Sequence, residues 1–419
     1  MKQKIPRKMR VNDLLMVLLL FSVIYQSGTV QASNNPGDLV FRITRILMIL
    51  VPIILIAFLH RKVTKRFVFS ILVIAFILEG LAIVSFTLFR DSAGTLQYKI
   101  FIFLLFLFAF YTIERSHIDL ERILFRVLVF IAFVTIIMYF TIELLKIPLP
   151  YTIFSKGQSF VYRNYFNLFY SYSYSSIPRL CGLFWEPGVY QIYLNLALFL
   201  YYKLNIKNKI QLSILCINIL FAQSTSGYII ATIILIAILI DRKKASLNTR
   251  RIIELAGTIV ALACILIVFT AKKDATNSAG DSYYDRIMQA RIGLQLFFQK
   301  PLFGNGFYNT KQYSLLMEVG SGNSNGLITW MYTTGIVGLS LALAPFFVSI
   351  RRARTHKEKT TRWIWLIFVL VENMTEPIYA LSIMIFIVSK EYYQVIRGNK
   401  YTMFRIKENI FFKGERKYT

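Results

Sequence analysis

Charge is scarce in this sequence, and acidic charge scarcest of all. Only 16% of the 419 residues are Asp, Glu, Lys or Arg, where a soluble domain carries about a quarter. That shortage excludes a soluble core held by a single anchor. Cysteine is scarce too: the chain has 3, with no Cys-x-x-Cys pair and no Cys/His cluster, so neither a disulfide framework nor a structural metal site is expected. Cys216 and Cys264 fall inside apolar runs, and Cys181 lies in a connection. The 3 histidines, His60, His117 and His356, are scattered. Strand-length alternation is lacking, which argues against a β-barrel. Repeats and low-complexity tracts are absent as well.

What remains is apolar. Hydrophobic residues make up 56% of the chain, in runs near membrane-spanning length that recur from the N-terminus to about residue 390. The expected fold is all-α and polytopic, one membrane domain over 1–419 with about twelve spans. These are 11–29, 40–59, 67–89, 97–113, 122–145, 187–204, 210–223, 226–241, 251–271, 324–350, 361–374 and 376–392. The first of them, after basic Lys2–Arg10 and before Val30-Gln-Ala-Ser33, also reads as a signal peptide; a first span is preferred, since a polytopic chain needs no cleaved leader.

Lys and Arg outnumber Asp and Glu by 48 to 21, a net charge of +27. They do not form one patch, so nucleic acid is not the expected partner. They concentrate in alternate short connections, including 61–66, 203–209, 242–251 and 351–362, and in the tail 393–419. This is the positive-inside pattern and predicts cytoplasmic N- and C-termini. The tail interleaves Arg405, Lys407 and Lys413 with Phe404, Phe411 and Phe412, which suits an anionic lipid surface. Two long connections, 146–186 and 272–323, then fall outside. The first is dense in Tyr and Phe, which suit a membrane interface and also stack on sugar faces.

Three stretches hold polar residues where an apolar protein needs a reason for them. In Arg179-Leu-Cys-Gly182-Leu-Phe184-Trp-Glu186-Pro187, the arginine and the glutamate either pair to orient the following helix or present a guanidinium fork to phosphate. Gly182 permits close backbone approach. The second runs from Arg286 through Arg291 to Lys300-Pro301-Leu-Phe303-Gly304-Asn-Gly306, a short amphipathic helix stopped by proline and glycine. Arginine near a helix start opposes the dipole, so Arg286 is not there to stabilise the helix. The third is Ser324-Asn325 followed by Gly335-Ile-Val-Gly338, glycines that also permit close helix packing. Two further features are Gln223-Ser-Thr-Ser-Gly227, either a tight outer turn or a polar point lining a cavity, and Glu372/Glu376, read as an outer turn in preference to a proton-linked site.

In order, spacing and content these stretches resemble the O-antigen polymerase and ligase superfamily of bacterial inner-membrane glycosyltransferases. The resemblance covers residues 175–345 and includes Gln223–Gly227. It implies a donor glycan on undecaprenyl pyrophosphate in the outer leaflet, attack by an acceptor hydroxyl, and departure of lipid pyrophosphate, with no cofactor and no metal. Arg179, Glu186 and Arg286 would be the catalytic groups. Arg291, Gly182, Ser324, Asn325, Gly304 and Gly306 would bind substrate. Flippase and chain-length regulator proteins are implied partners. Ligases of the superfamily carry histidine where this chain has Ser324, and its three histidines fall in cytoplasmic connections. That departure favours a polymerase and leaves Glu186 as base, with Asp281, Asp285 and Glu318 as alternatives. The competing readings are a glycan ligase and, from another class, a polysaccharide transporter or flippase. A transporter would place charge near the bilayer midplane.

Overall fold

The computed structural model describes residues 11–34, 38–58, 63–89, 93–116, 118–156, 160–172, 179–243, 282–307, 309, 311–317, 323–376 and 381–397. In these the chain is mostly helical. The helices are α1 (Val11–Tyr25), α2 (Val30–Asn34), α3 (Leu39–Phe58), α4 (Lys65–Phe89), α5 (Ala93–Arg115) and α6 (Leu120–Tyr139), the last running into a π turn at Phe140–Leu144. After the loop come α7 (Pro187–Lys203), α8 (Lys209–Ala222), α9 (Thr225–Lys243), α10 (Ser282–Gln299), α11 (Lys311–Met317), α12 (Gly326–Arg352), α13 (His356–Thr375) and α14 (Ser382–Arg397). Among the described residues 5 helices are long and apolar enough to cross a membrane, those at Leu39–Phe58, Lys65–Thr87, Leu96–Arg115, Leu120–Leu144 and Gly326–Arg352. Shorter apolar helices occupy Val11–Tyr25, Lys209–Ala222 and Thr225–Asp241. The expected span 251–271 lies outside the described residues.

α7 is the central helix. From Val189 to Tyr202 every residue is buried, as expected of a helix apolar nearly all round. It packs on α6, α8, α9 and α13. At its C-terminal end carboxylates tie the bundle together. Glu121 of α6 pairs with Lys203 of α7 and Lys390 of α14. Glu391 of α14 accepts from Arg362 and Trp365 of α13 and from Ser349 of α12. Glu114 of α5 pairs with Arg397. Each anion is shared among helices, so removing one would leave half-buried cations or buried donors uncompensated.

The connection 146–186 is not the plain loop its length suggested. It holds a three-stranded antiparallel sheet, β1 (Thr152–Lys156), β2 (Phe160–Tyr165) and β3 (Phe169–Tyr172), with β2 in the middle. The tight turn from β2 to β3 places Phe166 and Asn167 at φ 57. Asn164 holds it, accepting from the Asn167 amide at 2.9 Å and donating to its side chain at 2.8 Å. The sheet anchors the extended segment that follows: the Tyr170 amide donates to Gly182 O at 2.8 Å, and the Tyr162 hydroxyl to Trp185 O at 2.6 Å. From the other side Val30 N donates to Leu183 O and Trp185 N to Gly28 O. Segment 179–186 is thus fixed by backbone hydrogen bonds along its length.

Candidate functional site

Arg179 opens that segment. Its Nη2 donates to Gln223 O at 2.8 Å and Ala222 O at 3.3 Å, the carbonyls that end α8. The Leu180 amide donates to Phe221 O beside them. Gln223 has a left-handed backbone (φ 49) and closes the helix as its C-cap. A guanidinium here meets the negative end of the helix dipole, a favourable place for a cation. Of the two readings of this stretch, the pairing with Glu186 is not made: among the described residues Arg179 forms no ion pair. Its Nε is buried and has no hydrogen-bond partner. Burial pulls the Arg179 pKa down from its ordinary value, while the carboxylates of Glu186 and Glu376 act to raise it. Burial also pushes the Cys181 thiol up to about 12, so this cysteine is an inert packing group.

Glu186 sits at the N-cap of α7 in extended geometry, with Pro187 in the first turn. Its carboxylate is exposed and accepts from Trp185 Nε1 at 2.9 Å. Glu376, the C-cap of α13, reaches the same end of α7: a Cβ on Gly188 would overlap its Oε1. Two carboxylates therefore flank the positive end of α7, which favours negative charge, with Arg179 in electrostatic range of both. Gly182 is taken up by packing, since a Cβ there would stand 2.8 Å from Thr135 Oγ1.

One turn deeper lies a polar cluster. Glu372 of α13 is fully buried and accepts from Gln191 Nε2 at 2.6 Å and Asn195 Nδ2 at 3.3 Å, both on α7. Asn195 also donates to Gly227 O, and Gln191 to the Ser226 hydroxyl, joining α9. The Gln223–Gly227 stretch thus faces Arg179 at one end and Glu372 at the other. The preference for Glu372 as part of an outer turn is replaced by this buried position. Its signal in the sequence was Gln191 and Asn195, two amides at i, i+4 spacing in an otherwise apolar helix, which share one face.

The second and third stretches meet each other. Asn325 caps α12, accepting from the Ile328 amide at 3.0 Å. The Ser324 hydroxyl donates to Gln289 Oε1 of α10 at 2.7 Å. Gly335 breaks α12 (φ 66, ψ −172), a region only glycine enters freely. The turn at 301–306 enters the break. Ile336 N donates to Pro301 O at 2.8 Å and Val337 N to Leu302 O at 3.2 Å, while the Asn305 amide donates to Tyr332 O at 2.8 Å. Backbone from the turn replaces the missing helical bonds. A Cβ on Gly304 would overlap the Thr333 carbonyl, and one on Gly335 the Leu302 carbonyl. Gly304 therefore serves this insertion, and Gly306 follows it with φ 100. Arg291 is exposed on α10. The side chains of Arg286 and Asp285, and residues Asp281 and Glu318, lie outside the described residues. Among the described residues no hydrogen bond or ion pair joins Arg179 to Ser324 or Arg291.

No family model, curated protein or solved structure matches this chain. The site is therefore read from its own chemistry. It offers a half-buried cation with a spare buried donor, an exposed carboxylate within its electrostatic range, and a second carboxylate at the same helix end. Among the described residues no group of His, Cys, Asp and Glu is arranged to hold a metal ion.

Proposed function

We propose that this chain is a membrane glycosyltransferase of the O-antigen polymerase and ligase superfamily, joining undecaprenyl-pyrophosphate-linked repeat units into O-antigen, capsule or exopolysaccharide. The work would be done at the outer face of a bacterial cytoplasmic membrane, by a chain of about twelve spans with both termini inside. The observation that carries the reading is the meeting of distant motif stretches in pairs: Arg179 on Gln223 O, and Pro301–Asn305 in the break at Gly335. Residues that resemble a family signature only in order and spacing are also neighbours in space.

In this mechanism the acceptor hydroxyl oxygen bonds to the anomeric carbon of the donor. The bond from that carbon to the pyrophosphate oxygen breaks, its electron pair leaves with lipid pyrophosphate, and the hydroxyl proton passes to Glu186. Arg179 stabilises the charge growing on the leaving group through its unused donors, with Arg286 as the second cation. Exposure of Glu186 suits a base that must accept and release a proton. Ser324, bound to Gln289, does not stand in for the histidine of the ligases, which supports polymerase over ligase. The test is deletion of the protein followed by a gel of surface glycan. A polymerase deletion leaves single repeat units on their acceptor; finished long chains stranded on the lipid carrier would overturn the choice.

A transporter is the second reading, favoured by one observation: Glu372 is a buried carboxylate inside the helix bundle, a common mark of proton-linked transport.

A further inference from the structure

An apolar groove of about 210 Å³ lies between α4, α5, α12 and α14, near the ends where α5, α12 and α14 begin. Leu78 and Val84 of α4, Ile100 of α5, Trp330 of α12 and Ile385 of α14 line it, and Phe303 from the inserted turn closes one side. The glycine break at Gly335 therefore helps shape its wall. α4 packs on α5 and touches α14 only lightly, so the groove separates it from α12. The hydroxyls of Thr333 and Thr334 in the wall are spent on their own helix, donating to Thr329 O and Trp330 O.

Lys99 is the only cation among the lining residues. Its Nζ lies 5.9 Å from the Tyr98 ring, and the guanidinium of Arg45 on α3 lies 4.9 Å from the same ring. Among the described residues neither cation has an ion-pair partner. Two like charges at one ring, one of them lining an apolar slot and neither with a counter-ion among the described residues, are unfavourable. An anion attached to a hydrocarbon chain resolves both problems at once. Each cation stands about 10 Å into its helix, within reach of a lipid phosphate by snorkelling.

We propose that this groove holds one chain of an anionic phospholipid, with its phosphate against Lys99 and Arg45. A bilayer phospholipid fits better than the glycan carrier, because the cation assigned to the carrier's pyrophosphate, Arg179, stands on different elements at the end of α8. The inference goes beyond the polymerase reading and rests on it only for the choice of phospholipid over carrier, which the undecaprenyl phosphate arm of the test examines separately. The lipid would wedge α4 against α12 and α14, completing a bundle that protein side chains leave open.

The test is lipid retention by the full-length protein in neutral detergent, read by native mass spectrometry. Phosphatidylglycerol, diacylglycerol with the same chains, and undecaprenyl phosphate are offered separately and in equimolar competition. One phosphatidylglycerol should be kept, diacylglycerol should not, and phosphatidylglycerol alone should raise the unfolding temperature. The double variant Lys99→Gln, Arg45→Gln should lose retention at least about tenfold. Ala342→Phe, which fills the slot from α12, should lose it while both cations remain. Equal retention of diacylglycerol, unchanged retention by the charge variant, or full displacement by undecaprenyl phosphate would each overturn the proposal. If a variant fails to accumulate, the three-lipid comparison on the unaltered protein decides.

Discussion

Arg179 caps α8, its catalytic role is a proposal, and substitution can separate the two. As a cap it donates to Ala222 O and Gln223 O; as a catalytic group it would hold the leaving pyrophosphate. Arg179→Ala removes both. A hydrogen bond from a charged donor contributes about 1.5–3 kcal/mol, so losing the two, one of them long, should cost about 2–4 kcal/mol of stability. Arg179→Lys separates the roles. An ammonium still meets the negative end of α8, so stability should fall by no more than about 1 kcal/mol. It lacks the planar fork, so chain elongation should fall about ten- to a hundredfold, the equivalent of one charged hydrogen bond in the transition state. The assay pairs thermal unfolding of the purified variants with the length distribution of glycan made in cells lacking the native protein. A lysine variant with normal stability and normal long chains would refute the catalytic role and leave Arg179 as a helix cap. If the double variant Arg179→Ala, Glu186→Ala makes normal chains, both catalytic assignments fall.

Three other outcomes are expected. Glu372→Leu strands the Gln191 and Asn195 donors and should cost about 2–6 kcal/mol, at about 1–3 for each buried unsatisfied group. Glu372→Gln should cost less and keep elongation, whereas a proton-linked transporter would lose activity with either change; glycan gels and unfolding curves read the difference. Gly335→Ala should cost about 1–3 kcal/mol from backbone strain alone, and more from overlap with Leu302, while Gly80→Ala in α4, where nothing lies near an added Cβ, should gain about 0.5–1 kcal/mol. Reporter fusions at Lys156 and Gly280 should read outside and those at Lys209, Lys244 and Lys417 inside; an inside signal from both long connections would remove the mechanism, since the proposed glycan donor is outside.

Much of the helical pattern was legible, and for a physical reason. Long apolar runs bounded by basic connections leave few choices for a backbone that must satisfy its hydrogen bonds within a membrane, and most expected spans match helices within a few residues. The sheet at 152–172 was not legible. Its strands hold Tyr, Phe and Thr, good strand formers, but they are short and lack strict alternation. Their register depends on the Asn164–Asn167 turn and on contacts with Gln31 and Gly182, which no local window contains. The aromatic density of that connection was visible; its use, to hold segment 179–186 in place, was not.

Glycines were harder to read than charges. Gly304 and Gly335 lie about thirty residues apart, and each reads alone as a turn or a packing contact. Together they let one backbone enter another: the bonds that α12 loses at Gly335 are supplied by Pro301 O and Leu302 O. A glycine motif that resembles a family signature can therefore be kept for architecture while the proposed chemistry sits elsewhere, at Arg179 and Glu186. The same insertion sets the Phe303 wall of the groove beside Lys99. Closing the break with Gly335→Ala should thus disturb lipid retention at the groove before it touches the Arg179 cap, which shares no hydrogen bond with it. If elongation and lipid retention instead fall together in every variant of the turn, the two regions are one site, and Arg286 is the residue that would have to join them.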